Sequence, residues 1–283
     1  MLALKQLRKQ RHNWLGIVGG ILLAVLVLIA LFGPWLGLPD PLRGDLRARM
    51  AAPTLSWSGL GAHPLGTDQL GRDILSRIVT GSRITLMIAG AAVLLGGIVG
   101  VFLGLIAGYF GGWVDRVLMR VVDIQLAFPL MLLALLVVAA LGPSLGNLIA
   151  VLALTSWVRY ARIVRGQVLA VREREFVLSA RTIGATTGRI LFHHILPNVL
   201  TPALVVATLE LARTIVLEAG LSFLGLGIQP PSPSWGRMLA DGRTYIASAW
   251  WIITFPGIAL MLTVLSVNLL GDWLRDFFDP RQR

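Results

Sequence analysis

Long uncharged apolar runs constrain this chain more than any other feature of its sequence. Residues 14–39, 84–114, 124–158 and 244–271 contain no Asp, Glu, Lys or Arg. A helix needs roughly 20 apolar residues to cross the hydrocarbon core of a bilayer, so each run is long enough for at least one span. Charged residues make up only 14% of the chain, whereas soluble domains carry about 25%. The sequence therefore predicts an all-α protein that is embedded in a membrane.

Two further observations bring the number of predicted spans to six. The run 124–158 is too long for one ordinary helix, and a turn signal at residues 142–147 (GPSLGN) divides it. A separate stretch, residues 198–220, is apolar apart from three ionisable side chains. The predicted spans are 14–37, 82–109, 117–141, 145–163, 198–220 and 246–271. The fourth is short, so a full crossing and a re-entrant segment both remain open for it.

The distribution of cations predicts the orientation. With the N-terminus inside, the inner segments hold 16 Lys and Arg and the outer segments hold eight. Because cytoplasmic loops carry the excess of these residues, both termini are predicted to be cytoplasmic. The segments outside the spans are then an inner tail at 1–13, outer loops at 38–81 and 221–245, an inner loop at 164–197 and an inner tail at 272–283. The core 82–271 contains the last five spans.

Two properties of these segments bear on partners. Residues 67–80 are amphipathic and are predicted to form an interfacial helix within the first outer loop, a role we favour over direct contact with a partner. The net charge of +11 comes largely from the inner segments. Orientation in the membrane and one basic inner surface explain this charge, so no nucleic-acid partner is predicted.

The sequence lacks the residues that several classes of chemistry require. The chain has no Cys, which excludes disulfides, thiolate metal ligands and a Cys nucleophile. A phosphate-binding loop ends in Gly-Lys-Ser/Thr, and the last Lys of this chain is Lys9. All four His residues lie outside the apolar segments. We therefore predict no enzymatic activity, no bound cofactor and no metal site for this chain.

A stripe of glycines follows the second predicted span. The four residues recur at every fourth position, which places them on one helical face: Gly96, Gly100, Gly104 and Gly108. Such a face lets another helix approach closely. Ordinary packing is one interpretation of the stripe, and a contact that moves during a transport cycle is the other.

Three ionisable residues lie within the fifth predicted span. Glu210 and Arg213 are spaced i,i+3 and are predicted to pair on one face. Glu218 lies near the outer end of the same helix, and in one interpretation its side chain reaches the outer interface. Ionisable groups inside a membrane are costly and mark functional sites by default. A structural role and a role in lining a polar pathway both remain open for all three.

The inner loop carries the densest charge in the chain, with seven Arg between residues 159 and 189. Apolar residues are spaced along two short helical segments that meet at Gly184. A glycine can take the positive φ that reverses chain direction at little cost, so a turn is predicted there. Pro197 fits the first turn of the following span. The loop is interpreted either as a basic surface on anionic lipid headgroups or as a docking hairpin for a cytoplasmic partner.

This loop resembles the EAA signature of binding-protein-dependent ABC transporter permeases. The matching residues are Ala180, Gly184, Leu196 and Pro197, and the departures are Leu178, Ser179 and His194. Residues 63–83, 218–239 and 268–280 resemble the dipeptide, oligopeptide and nickel branch of that family, in particular its second permease subunit, the dipeptide permease C type.

The resemblance implies a six-helix permease of the type I importer (MetI-like) fold in a bacterial inner membrane. It also implies a homologous permease as partner in a heterodimer, two ATPase subunits that hold ATP and Mg²⁺, and an extracytoplasmic solute-binding protein facing the outer loops. The cargo would be a di- or oligopeptide or a similar solute such as glutathione or a nickel chelate. Residues assigned to coupling with the ATPase are Ser179, Ala180, Arg181, Gly184, Arg189, Leu196 and Pro197. The alternative is an ion-coupled secondary transporter that uses Glu210 or Glu218.

Overall fold

A computed structural model describes residues 2–56, 59–60 and 63–278 of the chain. The α-helices are α1 Leu2–Phe32, α2 Ile74–Phe110, α3 Gly112–Ala127, α4 Leu130–Leu141, α5 Leu145–Val171, α6 Glu175–Thr182, α7 Thr187–Arg189, α8 Leu196–Phe223, α9 Trp235–Gly242 and α10 Trp251–Phe278. A π-helical turn, Ile190–Ile195, joins α7 to α8. The strands β1 Leu55–Ser56 and β2 Gly59–Leu60 pair antiparallel in the first outer loop. The end of the predicted C-terminal tail, 279–283, lies outside the described residues.

The predicted fold class is confirmed, with one change to the set of spans. Among the described residues, five helices are long and apolar enough to cross a membrane. The predicted single span 117–141 is instead two helices, α3 and α4, which meet at an angle of 90°. Phe128 is extended, with φ −82° and ψ 130°, because the following Pro129 excludes it from the α-helical conformation. The bent pair counts as a sixth crossing or as a re-entrant segment.

The predicted interfacial helix at 67–80 does not form a separate element. Helix α2 begins at Ile74, where the Asp73 carboxylate accepts a hydrogen bond from the Ser76 backbone N–H at 2.8 Å. It continues without a break for 37 residues. At 1.5 Å per residue α2 is about 55 Å long, so its ends extend beyond a bilayer core of about 30 Å. The outer turns of this helix therefore occupy the place of the predicted interfacial segment.

The inner ends of two spans are longer than predicted. Helix α5 runs to Val171, eight residues beyond the predicted end at 163, and at 27 residues it is long enough for a full crossing. On the other side of the inner loop, residues 187–223 form one continuous helical stretch. The loop predicted at 164–197 is therefore shorter, because most of its residues extend the flanking helices.

The glycine stripe lies at the contact between α2 and α5. All four glycines are buried. A Cβ at Gly104 would lie 2.6 Å from the Ala161 carbonyl oxygen, and one at Gly108 would lie 2.7 Å from Val168 Cβ. Gly96 and Gly100 face the Ser156 side chain and the Trp157 carbonyl in the same way. Only glycine permits this close approach of α2 and α5, so the stripe is a packing surface. The interpretation in which the two helices move at this contact during transport stays untested.

Candidate coupling hairpin and intramembrane charges

The segment 172–195, which we call the coupling hairpin, consists of α6, a tight turn, α7 and the π-helical turn. Helix α6 ends where Gly184 takes φ +78°, as the sequence predicts. The Gly184 N–H donates to the Arg181 carbonyl at 3.1 Å, and the Ala185 N–H donates to the Ala180 carbonyl at 3.0 Å. These two bonds form a Schellman motif. A Cβ on Gly184 would meet no atom within 4 Å, so backbone conformation alone favours glycine here.

The second arm of the hairpin is continuous with a membrane span. The Thr186 hydroxyl accepts from the Arg189 N–H at 3.4 Å and caps the start of α7. The chain then passes through the π-helical turn into α8, whose first turn contains Pro197. The sequence predicts a second short helix separate from the span. The structure joins them, because no residue between 187 and 196 breaks the helix.

One face of the hairpin is anchored in the protein interior. Val177 and Ala180 of α6 are buried, and Ile190 and Ile195 lie in one apolar cluster with Leu105 and other residues from the inner ends of α2 and α5. Leu196 is partly buried against the same cluster. Ala180 and Leu196 therefore support the hairpin from within.

The opposite face of the hairpin presents apolar groups to the surroundings. Ile183, beside the turn, is 84% exposed, and Leu178 is 41% exposed. Together with Ser179 these side chains line a shallow open groove. Arg189 is also exposed. Neighbouring exposed apolar groups of this kind offer a surface to another protein or to the membrane.

Two arginines attach the hairpin to the inner end of α2. The Arg172 guanidinium donates to the Gly108 carbonyl at 2.8 Å. The Arg181 guanidinium carbon lies 5.7 Å from the centre of the Tyr109 ring, which is cation–π geometry. Arg181, predicted to act on the ATPase, therefore contacts its own chain. The hairpin is linked to α2 by side chains and to α8 by the continuous backbone.

The sequence predicts an ion pair between Glu210 and Arg213. This prediction is wrong, because Glu210 pairs with a residue of another helix. Glu210 is buried and its carboxylate forms an ion pair with Arg159 of α5. The Arg213 side chain is exposed on the next turn of α8. The pair forms between helices because Arg159 lies on α5 where that helix packs against α8. A pattern of spacing within one helix does not detect such a partner.

Glu218 is fully buried, which excludes the interpretation in which its side chain reaches the outer interface. The Ser222 hydroxyl donates to its carboxylate at 2.7 Å, and the Thr85 hydroxyl of α2 donates at 3.4 Å. Ser234, the buried N-cap residue of α9, is a third hydrogen-bond partner. Sequence reasoning missed these three hydroxyl groups because uncharged side chains give no signal in a count of charges. The carboxylate joins α2, α8 and α9.

Comparison with known proteins decides the family. Residues 100–283 match the family described as the binding-protein-dependent transport system inner membrane component, and residues 4–53 match the N-terminal transmembrane domain of oligopeptide transport permease C. The dipeptide transport system permease protein DppC of Alkalihalophilus pseudofirmus is 46% identical over 281 residues, which cover 99% of this chain and 90% of that protein. The chain belongs to this permease family.

Two more relatives are similar over nearly their whole length. The dipeptide transport system permease protein DppC of Escherichia coli is 45% identical over 96% of this chain and 90% of its own. The glutathione transport system permease protein GsiD of Pectobacterium atrosepticum is 41% identical over 97% of this chain and 89% of its own. The protein is thus a multi-pass inner-membrane permease subunit of an ABC importer. The prediction of an ABC importer permease is confirmed, and the alternative of an ion-coupled secondary transporter is not favoured.

The two loops that the sequence predicts to be outer, 38–81 and 221–245, lie close together at one end of the bundle. The Trp235 indole N–H donates to the Ile78 carbonyl of α2 at 3.0 Å, and the Trp251 indole N–H donates to the Thr67 carbonyl at 3.1 Å. The Arg72 guanidinium donates to the buried Asp68 carboxylate at 2.6 Å. The Trp235 bond holds the second of these loops against the start of α2, and the Trp251 bond holds the first loop against the start of α10, so the two loops form one fixed surface at this end of the bundle.

Proposed function

We propose that the permease imports di- or oligopeptides, or a solute of similar size, as one half of a heterodimer with a homologous permease. The named cargoes of its relatives include dipeptides, di/tripeptides and glutathione. Those relatives match 95% or more of the chain, which includes all the spans that would surround a pathway. A nickel chelate is the other cargo class that the resemblance implies.

Energy for import comes from two separate ATPase subunits, which hold ATP and Mg²⁺. The coupling hairpin is the contact surface for one of them, with Ile183, Leu178 and Ser179 in the groove of that subunit and Arg189 against its acidic residues. Both termini and the hairpin lie in the cytoplasm, since the cations are concentrated on that side. The fixed outer surface receives an extracytoplasmic binding protein that delivers the cargo.

One observation carries the proposal for coupling: the hairpin is continuous with α8 and is attached to α2 by Arg172 and Arg181. A displacement of the hairpin by the ATPase therefore moves two spans together. Such a movement shifts the permease between inward-open and outward-open states, as rigid-body rotations do in other switching proteins. Gly184 contributes by fixing the shape of the contact surface.

The experiment is uptake of a labelled dipeptide into proteoliposomes that contain both permeases and the ATPase subunits, with the binding protein added on the side of the outer loops. Uptake is expected to require ATP and the binding protein, and to persist when ionophores remove all ion gradients. Uptake that follows a proton or sodium gradient without ATP would contradict the proposal.

A further inference from the structure

Arg213 is an exposed cation within a candidate membrane span, Thr187–Phe223. It lies ten residues from the outer end of α8 at Phe223, or about 15 Å at 1.5 Å per residue. The exposed residues nearest to it on the same face of α8 are both apolar: Leu209 and Val216. Half the thickness of a bilayer core is also about 15 Å. A guanidinium at this depth cannot face hydrocarbon at low cost, so it faces protein or a hydrated pathway.

The charges around Arg213 are not balanced within this part of the chain. Glu210, one turn earlier on α8, is buried and ion-paired with Arg159 of α5. That pair is neutral, so the group of three carries a net charge of +1. The Arg159–Glu210 pair is recessed between helices, whereas Arg213 projects from the exposed face. The site therefore presents one positive charge and attracts an anionic group from outside this chain.

We propose that Arg213 binds the carboxylate of the cargo as it crosses the membrane, an inference that rests on the peptide cargo proposed above. Every unblocked peptide carries a C-terminal carboxylate, and the planar guanidinium matches that group with two parallel hydrogen bonds. Leu209 and Val216, which lie beside Arg213, are apolar and offer no replacement for the hydration of the carboxylate. A single exposed arginine binds weakly enough for the cargo to leave, as transport requires.

This chain has no natural Cys, so a Cys introduced at position 213 can be modified selectively. This permits a test in which the positive charge is first removed and then restored. In the reconstituted transporter, Arg213→Cys is expected to lower uptake of a free-acid dipeptide about tenfold, the order of effect of one charge-assisted hydrogen bond. Reaction of the variant with an aminoethyl methanethiosulfonate restores a positive charge and should restore most of the uptake. Reaction with the neutral methyl reagent should not. The partner subunits are used in Cys-free form, so that the reagents modify only position 213.

The C-terminal amide of the same dipeptide distinguishes cargo from other sources of carboxylate. Uptake of the amide, at a concentration that saturates the binding protein, should be unaffected by Arg213→Cys. Val216→Cys, three residues later on the same face, is the matched control and should transport both peptides normally. ATP hydrolysis stimulated by the binding protein should persist in all variants.

Different results would overturn the inference and the proposed cargo. An equal loss for the acid and the amide, or loss of the heterodimer, would show that Arg213 pairs with a fixed carboxylate of the partner permease. Normal uptake of the acid by Arg213→Cys would show that the charge has no role. Failure of the unaltered transporter to import any peptide would instead refute the proposed cargo, which separates the two claims.

Discussion

At the scale of single residues, Gly184 is required for its backbone and Glu218 for its side chain. Gly184 has open space around it but a φ of +78°, a conformation that costs an L-residue about 1–2 kcal/mol. Glu218 has an ordinary helical backbone but is surrounded by hydroxyl donors. Substitutions at the two positions should therefore fail in different ways, one in coupling and the other in stability.

We expect Gly184→Val to reduce ATP-driven uptake about tenfold while the protein still inserts into the membrane. The β-branched side chain disfavours positive φ and so reshapes the turn beside Ile183. Gly184→Asn should retain most activity because Asn tolerates this conformation. Gly188→Val is the matched control, since Gly188 has equally open space but no positive φ. Uptake and abundance in the membrane fraction are measured together, and normal uptake by Gly184→Val would refute the assignment.

Replacing Glu218 should destabilise the outer half of the bundle. Glu218→Leu leaves the hydroxyl groups of Ser222 and Thr85 without their acceptor, at a cost of about 1–3 kcal/mol. Glu218→Gln keeps an acceptor oxygen and should cost less. The thermal midpoint of the detergent-solubilised complex is the measurement, with the exposed Val216→Leu as control. Equal midpoints for Glu218→Leu and the unaltered protein would show that these hydrogen bonds do not stabilise the bundle.

At the scale of elements, α2 and α5 pack so closely that they are expected to move as one body. Gly104→Val would place side-chain atoms against the Ala161 carbonyl, where a Cβ alone already lies at 2.6 Å. We expect this variant to lose the folded complex in size-exclusion chromatography. Gly90→Val, on the same helix but with open space around it, should elute normally. A monodisperse, active Gly104→Val complex would contradict the packing described here.

The link from the hairpin to α2 gives a second test at this scale. Arg172→Ala removes the hydrogen bond to the Gly108 carbonyl and should lower uptake per ATP hydrolysed several-fold, without releasing the ATPase subunits. Arg174→Ala, an exposed arginine two residues later, is the control and should leave this ratio unchanged. An unchanged ratio in Arg172→Ala would mean that the hydrogen bond from Arg172 to α2 does not transmit the motion.

At the scale of the whole molecule, local features were predictable from the sequence and contacts between distant segments were not. Gly184 and Pro197 could be placed because a helix end and a first helical turn depend on neighbouring residues. Pro129 indicates a bend, but the angle of 90° depends on what the two helices pack against. The partner of Glu210 lies 51 residues away, and only the fold brings Arg159 beside it.

The central claim, that the coupling hairpin is the contact with the ATPase, is tested most directly by photo-crosslinking. A benzophenone attached to Ile183→Cys in the assembled transporter should form an adduct with an ATPase subunit on irradiation. The same probe on Ile246→Cys, exposed by 59% beyond the outer end of α8, should form none. Absence of an ATPase adduct from Ile183→Cys in a complex that still transports, or an adduct from Ile246→Cys, would contradict the account.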